Sequence, residues 1–252
     1  MRNKDLFDLF VLEAEKPFSG WDFSYIMDTG RMASEPMTWN YTSEIFPSIR
    51  KADSLLDMGT GGGEYLSKLQ PFPRNTFATE SYEPNVPIAR NRLEPLGVEV
   101  VEIKDDNQLP FDNEQFDLII NKHESYSVTE LYRILKPGSQ FITQQVGGKD
   151  HLDLNKALGA NEDNGYPHWN VNYAVSELEG AGFKIIKQLE EFPYTRFYDV
   201  GALIYYLSAI PWQIPDFTVQ AYFDKLLQIH HQIQERGFIE FKEHRFLIIA
   251  VK

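Results

Sequence analysis

Between Leu55 and Leu66 the chain reads LLDMGTGGGEYL, an apolar run that ends in Asp57 and four glycines within five residues. Glycine loses more backbone freedom on folding than any other residue. Concentrating it at one strand end suggests a backbone that must pass very close to a ligand. Asp57, Gly59, Gly61 and Gly63 spell D-x-G-x-G-x-G. At the carboxyl end of a parallel strand such a loop lets backbone amides approach a ligand, and a following helix would offer free N–H groups to an anion. The dinucleotide fingerprint G-x-G-x-x-G fails at its last position, which is Glu64. No Gly-Lys-Ser/Thr follows, which excludes a P-loop.

Two more acidic sites follow at matching places. Glu80 closes NTFATE, about twenty residues beyond the glycines, where a carboxylate can grip both hydroxyls of a ribose. Asp105 and Asp106, in KDDNQLPF, end the next strand-like stretch. An aspartate there can accept a hydrogen bond from an exocyclic amine such as that of adenine.

The elements that must position these groups alternate from residue 53 onward, the pattern of an α/β sheet with crossover helices. SLLDMG, NTFATE, VEVVEIKD, FDLIINKH and SQFITQQV read as five strands, joined later by KIIKQLEEF and the terminal HRFLIIAV. The spacing predicts helices over EYLSKLQ, NVPIARNRLEPLG, VTELYRILKPG and YAVSELEGAGF, with Gly97, Pro137–Gly138 and Gly182 as stops. Residues 1–50 read as helical and aromatic, residues 147–172 as a long polar lid-like loop, and residues 198–237 as two inserted helices. In the second of these, Tyr222, Leu226, Ile229 and Ile233 share a face. One elaborated domain over 1–252 is expected. It comprises an N-terminal helical cap (1–50), a core (53–197 and 244–252) and a helical insertion (198–237).

The chain has 252 residues, 42% hydrophobic and 24% charged, an ordinary globular composition. No apolar run approaches the roughly 20 residues of a membrane span, and the acidic N-terminal stretch lacks the pattern of a secretory signal. Cysteine is absent, which excludes disulfides, thiolate metal sites and a cysteine nucleophile. Cytoplasm is the expected compartment. Lys and Arg number 24 against 37 Asp and Glu, a net charge of −13 that repels phosphate backbones. The composition therefore disfavours nucleic acid as a partner. The pair His230/His231 lies on a predicted helix, where adjacent residues diverge, and does not read as a metal site.

The stretches LLDMGTGGGEYL, FATESYEPN, DDNQLPFDNEQFDLIINKHESY and LYRILKPGSQFI together resemble the class I S-adenosylmethionine-dependent methyltransferases. The last of these resembles the small-molecule branch in particular. The resemblance implies a seven-stranded, mostly parallel, doubly wound sheet with helices on both faces and an antiparallel last strand. To this the chain adds N-terminal helices and a helical insertion before that strand. It also implies S-adenosyl-L-methionine as cofactor and S-adenosyl-L-homocysteine as product. Asp57, Met58 and the backbone of Gly59, Thr60 and Gly61 would surround the methionine moiety. Glu80 would hold the ribose, with Ser81 and Tyr82 beside the adenine. Asp105 would meet the adenine amine, and the Asp106 backbone a ring nitrogen. Asn121 and His123 would line the path to the acceptor.

Methyl transfer from a sulfonium needs an aligned nucleophile and exclusion of water, and a base only if the acceptor must lose a proton. His123 is the expected catalytic base where one is needed, with Glu124 behind it. Trp21, Trp39, Trp169 and Trp212 lie outside or beside the motif segments, as candidate walls of a substrate pocket. NKHE replaces the Asn-Pro-Pro-Tyr type of motif used for adenine N-methylation in nucleic acids. With the acidic charge, this favours a small-molecule acceptor and a monomer or homodimer without nucleic acid or membrane. An RNA methyltransferase with a segregated basic groove, or a non-catalytic S-adenosylmethionine-binding protein, are the alternatives.

Overall fold

The computed structural model describes residues 3–163 and 165–252. Its strands are β1 (Met32–Ser34), β2 (Ser54–Met58), β3 (Asn75–Glu80), β4 (Val98–Glu102), β5 (Phe116–Lys122), β6 (Leu135–Val146), β7 (Lys184–Glu191), β8 (Tyr194–Phe197), β9 (Ile239–Lys242) and β10 (Arg245–Val251). The helices are α1 (Asn3–Ala14), α2 (Ser24–Met27), α3 (Tyr41–Ile49), α4 (Val86–Leu93), α5 (Val128–Ile134), α6 (Leu152–Leu158), α7 (Val171–Gly180), α8 (Val200–Ala209) and α9 (Val219–Arg236).

Seven strands form the main sheet in the order β4-β3-β2-β5-β6-β10-β7. All neighbours are parallel except β10, which runs antiparallel between β6 and β7. This is the Rossmann-like methyltransferase fold. The central strands are apolar on both faces because helices cover both. Leu55, Ile120 and Ile142 face one layer with Ile45 of α3 and Leu93 of α4. Their neighbours Leu56, Ile119 and Phe141 face the other, with Leu131 of α5 and Leu178 of α7. The alternation of strand side chains thus assigns successive residues to two separate cores.

A third apolar core lies outside this sheet. Leu6 and Phe10 of α1, Leu203 of α8 and Leu226, Ile229 and Ile233 of α9 pack together in it. Beside them β1, β8 and β9 form a small antiparallel sheet. To the helices expected over residues 1–50 the structure adds one strand, since Met32–Ser34 pairs with β8. Strands this short carry little local signal, and β1 exists because β8, more than 150 residues away, supplies its ladder.

Two expectations are corrected. The helix over EYLSKLQ shrinks to one 3₁₀ turn, Leu66–Lys68. Gly63 has a positive φ of 78° on one side, and Pro71 disfavours helical backbone at Gln70 on the other. Between these two limits only a single turn closes. The polar loop 147–172 likewise contains α6, whose Leu154 and Leu158 join the third core. Among the described residues no helix is long and apolar enough to cross a membrane.

The two parts meet at a buried ion cluster. Arg245, at the start of β10, pairs with Asp150 and reaches Glu243 at 3.1 Å. Glu243 also accepts the hydroxyls of Ser34 on β1, at 2.9 Å, and Thr195 on β8. Removing the cation would strand two carboxylates in a dry interface. R245A is expected to destabilise the protein by about 3–5 kcal/mol, measured by urea unfolding. A loss below about 1 kcal/mol would mean that water already solvates the cluster.

Candidate functional site

The main sheet reverses its strand order between β2 and β5, where Met58 pairs with Asn121. The chains leaving these strands diverge and open a crevice at their carboxyl ends, the usual ligand position in such a sheet. The glycine loop leaves β2 on one side, and the segment Lys122–Tyr126 leaves β5 on the other.

In the glycine loop Gly59 and Gly61 have φ of 65° and 62°, a backbone that side chains rarely adopt. A Cβ on Gly59 would also collide with the Glu124 side chain, and one on Gly61 would lie 3.5 Å from Trp21 Cβ. The loop is tied to β3, with the Thr60 N–H donating to the Thr79 carbonyl at 2.9 Å.

Four carboxylates converge on this crevice. Burial pushes the Asp57 carboxyl up to about 7, against the Thr60 hydroxyl and the Lys122 ammonium, while the charge of Glu80 adds to the rise. Glu80 is raised by burial as well, although it accepts the Tyr82 N–H at 2.7 Å. Asp106 and Glu124 are raised for the same reason, burial first and neighbouring carboxylates next. Asp106 accepts the Ser125 hydroxyl and so joins the β4 and β5 loops. A cleft of about 440 Å³ lies there, lined by Ser81, Asp105, Asp106, Asn107, Ser125 and Tyr126 among others.

The residues singled out from sequence fall into different places. Asp57, Thr60, Glu80, Ser81, Asp105 and Asp106 gather around the crevice, with Tyr82 exposed at its edge. Asp105 uses its carboxylate on the Asn107 N–H, at 2.7 Å, and so shapes its own turn. Met58 is buried, and its side chain belongs to the core. Asn121 is 0% exposed. Its side chain accepts from the Thr143 hydroxyl at 2.8 Å and donates to the Ser125 carbonyl at 3.4 Å. The expectation that Asn121 lines a path is therefore corrected: its polar atoms brace the loop after β5 from beneath.

Trp21 stacks on Trp212 with ring centres 5.8 Å apart and planes within 9°, and both are exposed beside the glycine loop. Trp39 is buried and donates its indole N–H to Gln144 Oε1 at 2.9 Å. Trp169 packs between Tyr126 and Phe246 and supports the cleft only through Tyr126. His123 has a left-handed backbone, φ 60°, and its ring Nε2 lies 3.0 Å from Gln144 Nε2. The residue is exposed to solvent, although protein packs densely around it. Burial, with the charges of Arg245 and Lys122, holds its imidazole well below the usual histidine range.

Glu124, the second candidate base, lies directly over Gly59. One participant escaped the sequence reading. Gln144 sits in the run Thr143–Gln144–Gln145 within a buried central strand. Three polar residues in succession break the apolar pattern of that strand, and this was the available signal.

Residues 56–143 match a family model described as a methyltransferase domain. A comparison with curated proteins finds no match. Among solved structures the fold is similar to a candidate methyltransferase from Bacillus halodurans C-125, with a TM-score of 0.61 at 18% identity, covering 84% of this chain and 98% of that one. It is similar to an S-adenosylmethionine dependent methyltransferase from Mesorhizobium loti, with a TM-score of 0.51 at 13% identity over 84% and 95% of the two chains. It is also similar to the (4+2)-cyclase SpnF, with a TM-score of 0.52 at 16% identity over 84% and 80%.

The raised Asp57 carries a pH signature. In the unfolded chain this group ionises near its usual 3.8, whereas in the folded protein it keeps its proton to about 7. The folded state therefore binds the extra proton between those values, and its stability falls as pH rises through the window. D57N is expected to remove that fall. Its stability relative to the parent should rise between pH 4 and 7 by up to roughly 4 kcal/mol, as read from urea unfolding at several pH values. A constant difference would mean that Asp57 is ionised in the folded protein throughout.

Proposed function

We propose that this chain is an S-adenosylmethionine-dependent methyltransferase acting on a small-molecule acceptor. The observation that carries the reading is the convergence of Asp57, Glu80, Asp106 and Glu124 on a glycine-lined crevice at the reversal of strand order. Desolvated, mutually repelling carboxylates are relieved by a cation, and S-adenosylmethionine carries both a sulfonium and an ammonium. The left-handed glycine backbone of the loop and the carboxylate at the end of β3 suit its amino-acid tail and ribose. The match of residues 56–143 to a methyltransferase domain supports the same assignment.

When bound, the cofactor supplies an electrophilic methyl group on positively charged sulfur. The chain's own residues have the remaining tasks. Glu80 would accept from the ribose hydroxyls, exchanging its present bond to the Tyr82 N–H. Asp105, Asp106 and Ser81 line the cleft into which an adenine would fit, with the exposed Tyr82 at the crevice edge. Glu124, over Gly59, would place negative charge beside the sulfonium. Trp21 and Trp212 would close the mouth with apolar surface and keep water from the reacting atoms. The net charge of −13 favours a small acceptor over a polyanion.

A shared fold does not by itself assign the chemistry, as a cyclase among the similar structures illustrates. The test is calorimetry with S-adenosylmethionine and S-adenosylhomocysteine, followed by transfer of a labelled methyl group to pooled metabolites. Binding of both ligands is expected. E80A should weaken it by about 10- to 100-fold, the effect of losing a charged hydrogen-bond acceptor. No binding would overturn the reading. Binding without any consumption of label would leave a non-transferring S-adenosylmethionine-binding protein instead.

A further inference from the structure

We propose that Trp39 and Gln144 lock His123 as a hydrogen-bond donor, and that the acceptor substrate docks a carbonyl or carboxylate oxygen on its Nδ1–H. The substrate half of this rests on the methyltransferase reading above; the proton position on His123 does not.

The argument runs outward from a group with no choice. An indole N–H can only donate. Trp39 Nε1 lies 2.9 Å from Gln144 Oε1, so that atom is the amide oxygen and accepts the bond. The amide NH₂ of Gln144 must then face the other way, toward His123 Nε2 at 3.0 Å. An NH₂ group donates and does not accept, so Nε2 carries the lone pair. Neutral imidazole has one proton, and it is left on Nδ1.

Each member of the relay is held in place. The backbone N–H of His123 donates to the Gln144 carbonyl at 2.8 Å, one step beyond the end of β5. The left-handed backbone of His123 then lets the ring fold back over the same glutamine. Such a conformation is uncommon for histidine and is retained where surrounding contacts demand it. Trp39 is fixed from both sides. The Thr38 N–H donates to Glu191 at 3.1 Å, and Asn40 caps α3 by accepting the Ser43 N–H at 3.0 Å. Gln144 itself sits in mid-strand, paired with Lys122 on β5 and Leu247 on β10.

The electrical surroundings agree. The charged groups acting on the ring are Arg245 and Lys122, both cations, and they oppose a second proton. His123 has no hydrogen-bond partner at Nδ1 among the described residues, and the residue is exposed to solvent. A neutral ring with Nε2 occupied has no lone pair to offer a substrate. It offers an N–H. His123 therefore orients an oxygen acceptor and does not remove a proton, which replaces the expectation of a general base. Gln144 acts through His123 and is a positioning residue.

The test is nitrogen-15 NMR of the histidine ring in the full-length protein, with the His123 signal identified by its loss in H123A. The parent is expected to show a neutral Nδ1–H ring that stays neutral well below pH 6. In Q144E the carboxylate would accept from Nε2–H instead, so the ring should change tautomer and its titration midpoint should rise by about one pH unit or more. W39F should free the amide to rotate and give a mixture of tautomers. An Nε2–H ring in the parent, or an unchanged ring in Q144E, would overturn the proposal. The docking half is read by adding benzoate or benzylamine in the presence of S-adenosylhomocysteine. Benzoate should move the Nδ1–H resonance and benzylamine should not. No response to benzoate, or an equal response to both, would overturn that half. Cofactor binding by calorimetry is a separate measurement, so its failure would strike the methyltransferase reading and leave the tautomer result standing.

Discussion

The structure depends on the divergence of two neighbouring parallel strands. Met58 and Asn121 sit side by side in the register of β2 and β5, yet the chain beyond β2 turns toward β3 and the chain beyond β5 toward β6. Their connections leave in opposite directions, so their carboxyl ends frame a crevice at the reversal of strand order. The glycine loop, the bracing network under Asn121, the Asp106–Ser125 link and the His123 turn are all ways of finishing the edges of that opening.

What collects there is negative charge in a poorly solvated place. Asp57, Glu80, Asp106 and Glu124 are each pushed toward their neutral forms by burial, and several of them raise one another. A fold selected for stability alone would separate or pair these groups. Lys122 is the nearby cation, itself held below its usual range by burial, and it is drawn toward Asp57 and the face of Tyr65. A cationic ligand would relieve the strain that the protein's own residues leave in place. Stability lost at this crevice is thus tied to the binding that the crevice is suited for.

The third core answers a different need. A crevice is open to water, and the Trp21–Trp212 stack brings apolar surface to its rim. That rim is carried by α1, α8, α9 and the small sheet, which have their own buried interior. Their attachment to the main sheet runs through Arg245, Asp150 and Glu243, an ion cluster whose geometry specifies one docking arrangement.

Much of this was legible in the chain itself. Apolar runs of strand length identified the central strands, because a sheet covered on both faces needs side chains that are apolar in both directions. The D-x-G-x-G-x-G spacing located the loop, since glycine adopts its left-handed backbone without strain, and Glu80 followed from its place at the next strand end. Those are nearest-neighbour properties, carried by residues close in sequence. Tertiary structure decided the rest. Gly63 and Pro71 cut a helical pattern to a single turn, and β1 formed only because β8 lay beside it. Trp39 met Gln144 across 105 residues of chain, and that contact determined which nitrogen of His123 holds the proton. The sequence by itself determined that a glycine loop follows β2 and that carboxylates end the next strands. Only the fold decided that the histidine beside it would donate rather than accept, because a proton's position depends on partners that no local pattern brings together.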